Sequence, residues 1–455
     1  MKIALFVHCF FPQHFYGTEA YTLAVAKELA ALGHSPTVVT AKFPGEPASP
    51  ELIERYNWEG IPVISIDKNK IPHLSIRETY DQPAMQPIHE ALLRELAPDI
   101  VHVCHLINHT TALLAATRAL GIPTVATLTD FFDFCYTNKL EAADGSLCAG
   151  PNRLRSNCIA CHLKAAAGRP GPSNTARLLM DLRLIPTASR LLALLGQRRA
   201  QPIEIVQFRP ADIVVRPDIL RAAFGDCRVA VAPSQFLKQA FEQNNFPVPL
   251  VLSHFGVDID RAAKPKPENP HQVRIGYIGQ LAAHKGVHIL LDALRAAQRD
   301  NLGLTIWGPH DQDETYYRML QEKSRGLGVR FAGTFPPERL VEIMREIDVL
   351  AIPSTWYENS PLILLQALAT HTPVIVSDVL GLTEFVTHGR NGFHFERGSL
   401  AALTTVLRQV ADRKGWAQTA AEQTSYPRTS RDMVDDLLVV YKSAPNRSSA
   451  ARGND

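Results

Sequence analysis

Glu358 stands in a short polar loop, T-W-Y-E-N (355–359), between an apolar run, D-V-L-A-I-P-S (348–354), and a helical run, L-I-L-L-Q-A-L-A (362–369). Ser360-Pro361 reads as the start of that helix, with Ser as N-cap and Pro at the first helical position, where its missing N–H costs nothing. Gln366 follows Glu358 by eight residues, two helical turns and roughly 12 Å if the segment were all helix. Exposed N–H groups at a helix start attract an anion such as phosphate. A carboxylate beside them suits sugar hydroxyls better than phosphate, which it repels. A second constellation lies upstream. Lys285 falls between Gly279 and Gly286 in a turn from strand to helix. Glycines let a backbone come close to a ligand, and a lysine brings a mobile positive charge suited to phosphate. The turn after W-G-P, at Gly308, belongs to the same set of loops. A third group is sulfur-based: Cys135, Cys148, Cys158 and Cys161 fall within 27 residues. Cys158-x₂-Cys161 has the spacing of a metal knuckle, and the other two complete four thiolates for a structural zinc ion. Buried or free reduced cysteines are the alternative.

The elements that must carry these residues form a doubly wound α/β pattern. K-I-A-L-F-V-H (2–8) is a strand, F-F-P-Q-H-F-Y-G-T-E-A a loop, and 18–32 a helix ending at Gly33. S-P-T-V-V-T-A, I-P-V-I-S-I-D, D-I-V-H-V-C-H and I-P-T-V-A-T-L-T-D continue the apolar strands, with helices near 83–96 and 110–120. The pattern breaks over 131–210, an insertion with the cysteines and a stretch of apolar residues interspersed with arginines. That stretch is amphipathic and either packs on the protein or lies on an anionic membrane surface. D-C-R-V-A-V-A-P-S-Q-F-L-K-Q-A-F-E-Q resumes the first domain, with a turn at Pro233-Ser234. The expected organisation is a first Rossmann-like domain over 1–263, a linker over 264–272, and a second such domain over 273–428. A C-terminal helix over 429–444 is expected to pack back on the first domain, ahead of a disordered tail over 445–455.

Composition limits the function. The chain of 455 residues is too long for one ordinary core, and its 46% hydrophobic and 20% charged content is that of a soluble protein. A net charge of +2 with no basic patch motif argues against nucleic acid as a partner. No apolar run reaches membrane-spanning length. M-K-I-A-L-F-V-H-C-F-F-P is too short and too soon interrupted by Pro12 for a signal peptide, so a cytoplasmic protein with reduced cysteines is expected. The opening strand–turn–helix lacks G-x-G-x-x-G, which disfavours a dinucleotide oxidoreductase. Cys9, Cys104 and Cys227 read as core residues, and His102 and His105 as structural histidines.

Taken in order, G-Q-L-A-A-H-K-G (279–286), P-S-T-W-Y-E-N-S-P-L-I-L-L-Q-A-L-A (353–369), P-V-I-V-S-D (373–378), G-L-T-E (381–384) and H-G-R-N-G (388–392) closely resemble the C-terminal domain of family-four retaining glycosyltransferases. G-T-E-A (17–20), A-P-S (232–234) and F-G-V-D (255–258) resemble matching positions of that family's first domain. The resemblance implies the GT-B fold of two Rossmann-like domains facing a cleft, with a donor of UDP or GDP type and a glycan or lipid-linked glycan acceptor. It implies Lys285 on the diphosphate, Glu358 on the donor sugar, Gly17 in close approach near the phosphate or acceptor, and Glu384, Ser360, Gly279 and Gly308 around the donor. Catalysis would need no metal ion, leaving zinc a structural role at most. Three positions depart from the family pattern. Its second Glu is Gln366, its phosphate-loop Arg is Gln280, and its His-Asp after the fourth strand is Thr129-Asp130. Asp130 is the carboxylate nominated beside the acceptor. The expected activity is retaining sugar transfer in cell-envelope or exopolysaccharide synthesis, in the cytoplasm or peripherally on the inner face of the membrane. The departures support a rival, a non-catalytic sugar-nucleotide-binding or scaffold protein on the same fold.

Overall fold

A computed structural model describes residues 1–168, 174–197, 208–262, 264, 269 and 271–443. The expected tail and most of the expected linker lie outside them. The chain forms two compact units, one of residues 1–254 with 431–455 and the other of residues 255–430.

The first unit is built on an eight-stranded sheet. Its strands are β1 (Lys2–Phe6), β2 (Ser35–Lys42), β3 (Ile53–Trp58), β4 (Ile61–Asp67), β5 (Ile100–Val103), β6 (Thr124–Thr127), β7 (Val229–Ala232) and β8 (Leu250–Leu252). Their order is β3-β4-β2-β1-β5-β6-β7-β8. All pairings are parallel except β3 with β4. Strands covered on both faces must be apolar along their whole length. Ile3, Ala4, Leu5 and Phe6 of β1 and all four residues of β5 are accordingly buried. Edge strand β3 is antiparallel and half exposed, and its mixed sequence I-E-R-Y-N-W carries no apolar run to announce it.

The second unit has six parallel strands: β9 (Val273–Ile278), β10 (Leu302–Trp307), β11 (Val329–Gly333), β12 (Val349–Ile352), β13 (Val374–Ser377) and β14 (Gly392–Phe395). The order β11-β10-β9-β12-β13-β14 is that of the dinucleotide-binding doubly wound fold. One apolar core, including Leu290, Leu304 and Leu407, and a second, including Leu350, Leu364 and Val376, form around this sheet. In such sheets the strand order reverses at one point, and the loops leaving the strands on either side open a crevice. Here the reversal lies between β9 and β12. In the first unit it lies between β1 and β5.

Helix ends follow local chemistry in some places and not in others. Ser234 accepts the N–H of Leu237 and caps the helix Gln235–Gln243. Ser360 does not cap. The helix after β12 is Leu362–Ala369, with Pro361 at its N-cap position and no side-chain cap. The span 131–210 includes the helices Ser156–Ala167, Asn174–Asp181 and Ile185–Gln197.

The last helix, Ser430–Lys442, is tied to the sheet of the first unit through Tyr441. The phenolic oxygen of Tyr441 lies 2.6 Å from His102 Nδ1, and Thr127 Oγ1 lies 2.8 Å from His102 Nε2. Burial lowers the His102 pKa to about 3, so this imidazole stays neutral and structural. Replacing Tyr441 with Phe strands one buried ring nitrogen. The expected loss is about 1–3 kcal/mol of stability, measurable as a lower urea midpoint with unchanged secondary structure.

Candidate functional site

The two loops at the reversal point of the second sheet meet. The loop after β9 runs from Gly279 through the short 3₁₀ turn Ala283–Lys285 to Gly286, and the loop after β12 runs from Pro353 to Pro361. They are stitched by Thr355, whose N–H donates to the His284 carbonyl at 2.8 Å. Lys285 Nζ lies 2.7 Å from Glu358 Oε1. The same carboxylate oxygen accepts Ser354 Oγ–H at 2.6 Å and Trp356 Nε1–H at 3.0 Å. The ammonium also lies 4.9 Å from the centre of the Trp356 ring, on its face.

Glu358 is 6% exposed. Burial alone would raise its pKa, but the Lys285 ammonium, followed by the hydrogen bonds from Lys285, Ser354 and Trp356, holds it below the usual carboxylate range. The result is a fixed anion with one oxygen saturated and a lysine with two further N–H donors to offer.

Three glycines allow this approach. A Cβ on Gly286 (φ +73°) would fall 1.9 Å from the Pro353 carbonyl oxygen, and one on Gly381 (φ +88°) 1.5 Å from that of Glu358. A Cβ on Gly308 would fall 2.1 Å from the Gly279 carbonyl oxygen. The G-L-T-E motif contains Gly381, but nothing in it signals that Gly381 supports the Glu358 backbone. Gln280 accepts the Tyr277 hydroxyl on its carbonyl at 2.6 Å. Ser360 is buried and its Oγ has no hydrogen-bond partner. Gln366 is half buried on the helix Leu362–Ala369, and Glu384 is exposed in the turn beyond Gly381. Neither is a hydrogen-bond partner of Lys285 or Glu358. Arg397, which no motif points to, donates from Nη1 to the Thr355 carbonyl at 2.9 Å and braces the loop from beyond β14.

A separate polar cluster occupies the reversal point of the first sheet. His8 follows β1, His105 follows β5 and Asp130 follows β6. His105 Nδ1 accepts the Ile107 N–H at 3.1 Å, which leaves Nε2–H to face Asp130 Oδ2 at 3.0 Å. Asp130 Oδ1 accepts the Phe132 N–H at 2.8 Å. Thr129 donates its hydroxyl to the Cys104 carbonyl at 3.2 Å. The rings of His8 and His105 are 4.3 Å apart, and His8 Nε2 lies 3.2 Å from Glu19 Oε1. Burial, then His105, His109 and His14, lowers the His8 pKa well below its ordinary value. A cavity beside the cluster is lined by His105, Thr129, Asp130, Phe132 and Asp133. His105, expected to be structural, thus sits against Asp130 and beside this cavity, a position that a lone histidine at a strand end does not signal. Gly17 opens the helix Gly17–Ala31, and a Cβ there would meet open space, with no contact within 4 Å beyond its chain neighbours and own helix.

The four insertion cysteines gather in one neighbourhood. Cys158 and Cys161 lie on the helix Ser156–Ala167, Cys135 Sγ accepts the Leu140 N–H and Cys148 Sγ the Gly150 N–H, both at 3.4 Å. Burial, followed by Cys135 and Cys148, raises the Cys161 thiol to about 12. A tetrahedral zinc site with Zn–S of about 2.3 Å needs sulfurs about 3.8 Å apart. Among the described residues the one trio of such ligand atoms within 4.8 Å is His8, Cys9 and Glu19, so no three of the four sulfurs meet that spacing. As placed, they do not fit zinc, and no chemistry is assigned to a metal there.

Comparison with known proteins gives this geometry a context. The model of glycosyl transferases group 1 matches residues 258–425, and that of glycosyltransferase family 4 matches residues 15–146. A D-inositol 3-phosphate glycosyltransferase of Rhodococcus erythropolis is 29% identical over 192 residues, 39% of this chain and 42% of that protein. A glycogen synthase of Mycobacterium tuberculosis is 31% identical over 156 residues, 34% of this chain and 37% of that protein. The chain thus spans less than half the length of these curated relatives. Among solved structures, sucrose-phosphate synthase from Thermosynechococcus elongatus matches with a TM-score of 0.60 at 15% identity, over 97% of this chain and 96% of that one. Anabaena HepE in complex with UDP and glucose matches at 0.61 and 15%, over 97% and 100%. These likenesses show the GT-B fold of two Rossmann-like α/β domains.

The depressed Glu358 pKa has a consequence for stability. A carboxyl whose folded pKa lies below its unfolded one, about 4.3, stabilises the fold above that value and loses the contribution as pH falls through the folded value. Glu358→Gln is expected to lower the stability of the second unit at pH 7 by about 1.5–3 kcal/mol. In urea titrations across pH, the gap between wild type and variant should narrow below about pH 4.

Proposed function

This chain belongs to the family 4, group 1 glycosyltransferases, and we propose that it moves a sugar from a nucleoside-diphosphate donor to a hydroxyl group of a glycan or lipid-linked glycan, with retention at the anomeric carbon. The observation that carries the reading is the Lys285–Glu358 pair, fixed at the reversal point of a six-stranded parallel sheet. Lys285 turns its remaining N–H donors to the diphosphate, and the unpartnered Ser360 hydroxyl gives it a further hydrogen bond. Glu358 uses its second oxygen to hold hydroxyls of the donor sugar. Gln366 and Glu384 bind the nucleoside end, and Gly279, Gln280 and Gly308 let backbone approach the phosphates. As the bond from the anomeric carbon to the diphosphate oxygen breaks, charge builds on the leaving group, where preorganised donors stabilise it best. The acceptor oxygen forms the new bond, and its proton passes to the departing phosphate. Asp130, gripped by His105 and the Phe132 N–H, orients the acceptor hydroxyl. Lys285 and backbone N–H groups supply the positive charge in this scheme, so it calls for no metal ion.

A UDP donor is supported by the likeness to HepE, solved in complex with UDP and with UDP-glucose. A role in envelope polysaccharide is supported by a likeness to the lipopolysaccharide outer core galactosyltransferase WaaB. A second reading, a scaffold that binds sugar nucleotides without turnover, draws on Thr129, Gln280 and Gln366.

A thermal-shift panel of UDP, GDP, ADP and their sugar conjugates tests the proposal. One nucleotide should raise the melting temperature, with stabilisation of about 2.7 kcal/mol at a hundred times its dissociation constant. Lys285→Ala should abolish that shift. Sugar transfer should disappear in Glu358→Ala while nucleotide binding survives. A folded wild-type chain that responds to none of these ligands would sink the donor site. Nucleotide binding without transfer to any acceptor would favour the scaffold.

A further inference from the structure

The helices Asn174–Asp181 and Ile185–Gln197 carry an apolar face that the described residues do not cover. The second helix has apolar residues on two sides. Its inner seam, Ser189, Leu192, Ala193 and Gly196, is buried. Leu192 and Ala193 join a core with Ile159 and Leu163 of the helix Ser156–Ala167 and Ile213 and Val214 of the helix Pro210–Val214. Its outer stripe, Leu191, Leu194 and Leu195, has the i, i+3, i+4 spacing of one helix face and is 59%, 48% and 42% exposed. Leu178 on the preceding helix, and Leu182 and Leu184 in the turn between the two, are 56%, 57% and 44% exposed. Of the sixteen large apolar side chains exposed among the described residues, seven fall between Leu178 and Leu195. Single exposed leucines are ordinary, but seven large apolar side chains exposed within a span of eighteen residues are a concentration that calls for a partner.

The charge around the patch is mostly positive. Arg177, Arg183 and Arg190 are exposed between its leucines, and Asp181 is the one acidic residue from 174 to 197. The sequence continues with Arg198 and Arg199, outside the described residues. We propose that this face docks on an anionic lipid surface. Leucine stripes flanked by arginines fit the boundary between acyl chains and acidic headgroups, where the apolar face is buried and the guanidinium groups remain hydrated against phosphate. A second copy of this chain fits poorly, because a two-fold interface sets the same patch on itself and brings arginines together. Docking of this kind is independent of the transferase reading, since lipid binding needs neither substrate nor turnover.

The test is flotation of the full chain with phosphatidylcholine vesicles made with and without phosphatidylglycerol. The protein should float with the acidic vesicles, remain below the neutral ones, and be released by added salt. Leu191→Ser/Leu194→Ser/Leu195→Ser should cut the floating fraction about tenfold or more. Arg183→Glu/Arg190→Glu should cut it by about tenfold as well. Both variants change exposed positions only and should melt with the wild type. Wild-type protein that stays below both vesicle types overturns the proposal, as does equal flotation with both. A variant that floats like the wild type does the same. So does a dimer seen by light scattering that the triple leucine variant dissociates, which would assign the face to a second copy.

Discussion

The ion pair between Lys285 and Glu358 constrains the rest of the second unit, because a carboxylate with so little access to water cannot stay ionised unpaired. The two residues are 73 positions apart and belong to loops leaving different strands. Holding them at hydrogen-bond distance requires β9 and β12 to be neighbours, and it requires both loops to approach without side chains in the way. Gly286 under Pro353 and Gly381 under Glu358 meet that second condition. Ser354 and Trp356 then saturate the oxygen that faces the lysine. The other oxygen, the remaining lysine protons and the vacant hydroxyl of Ser360 are what the protein itself leaves for a ligand.

The first unit solves a related problem with different groups. Its strand order also reverses once, between β1 and β5, and its polar cluster sits there. Family relatives are expected to place a histidine where this chain has Thr129. Here Thr129 bonds back to the Cys104 carbonyl, and the imidazole beside Asp130 comes from the neighbouring strand, at His105. Since Nδ1 of His105 accepts a backbone N–H, its other nitrogen is the donor to Asp130. The arrangement keeps a histidine against that carboxylate without one at position 129.

Much of the fold is legible in the sequence because parallel strands buried on both faces must be continuous apolar runs. K-I-A-L-F, V-L-A-I and V-I-V-S announce themselves in that way. Strand β3 does not, since it is an antiparallel edge whose polar residues face water. The residues of the Lys285–Glu358 cluster can be picked out by type, Gly and Lys in one loop and Glu ahead of a helix in another. Their mutual contact cannot, because it depends on strand order. Ser360-Pro361 has the residue types of an N-cap pair, yet the helix starts after Pro361 and leaves the serine buried without a partner. The pairing of His105 with Asp130 gives no signal because its partner lies 25 residues away, at the end of the neighbouring parallel strand. The four insertion cysteines lie near one another, but their spacing in the sequence does not set sulfur–sulfur distances.

The central claim is that the loops holding Lys285 and Glu358 bind a nucleoside diphosphate. Hydrogen exchange of the full chain, with and without saturating UDP, GDP and ADP together, tests it most directly, since slowed exchange locates a bound nucleotide whatever its base. Slower exchange is expected in residues 279–287 and 354–365, with the edge strand β3 unaffected. Protection confined to other segments, or none, would contradict the claim.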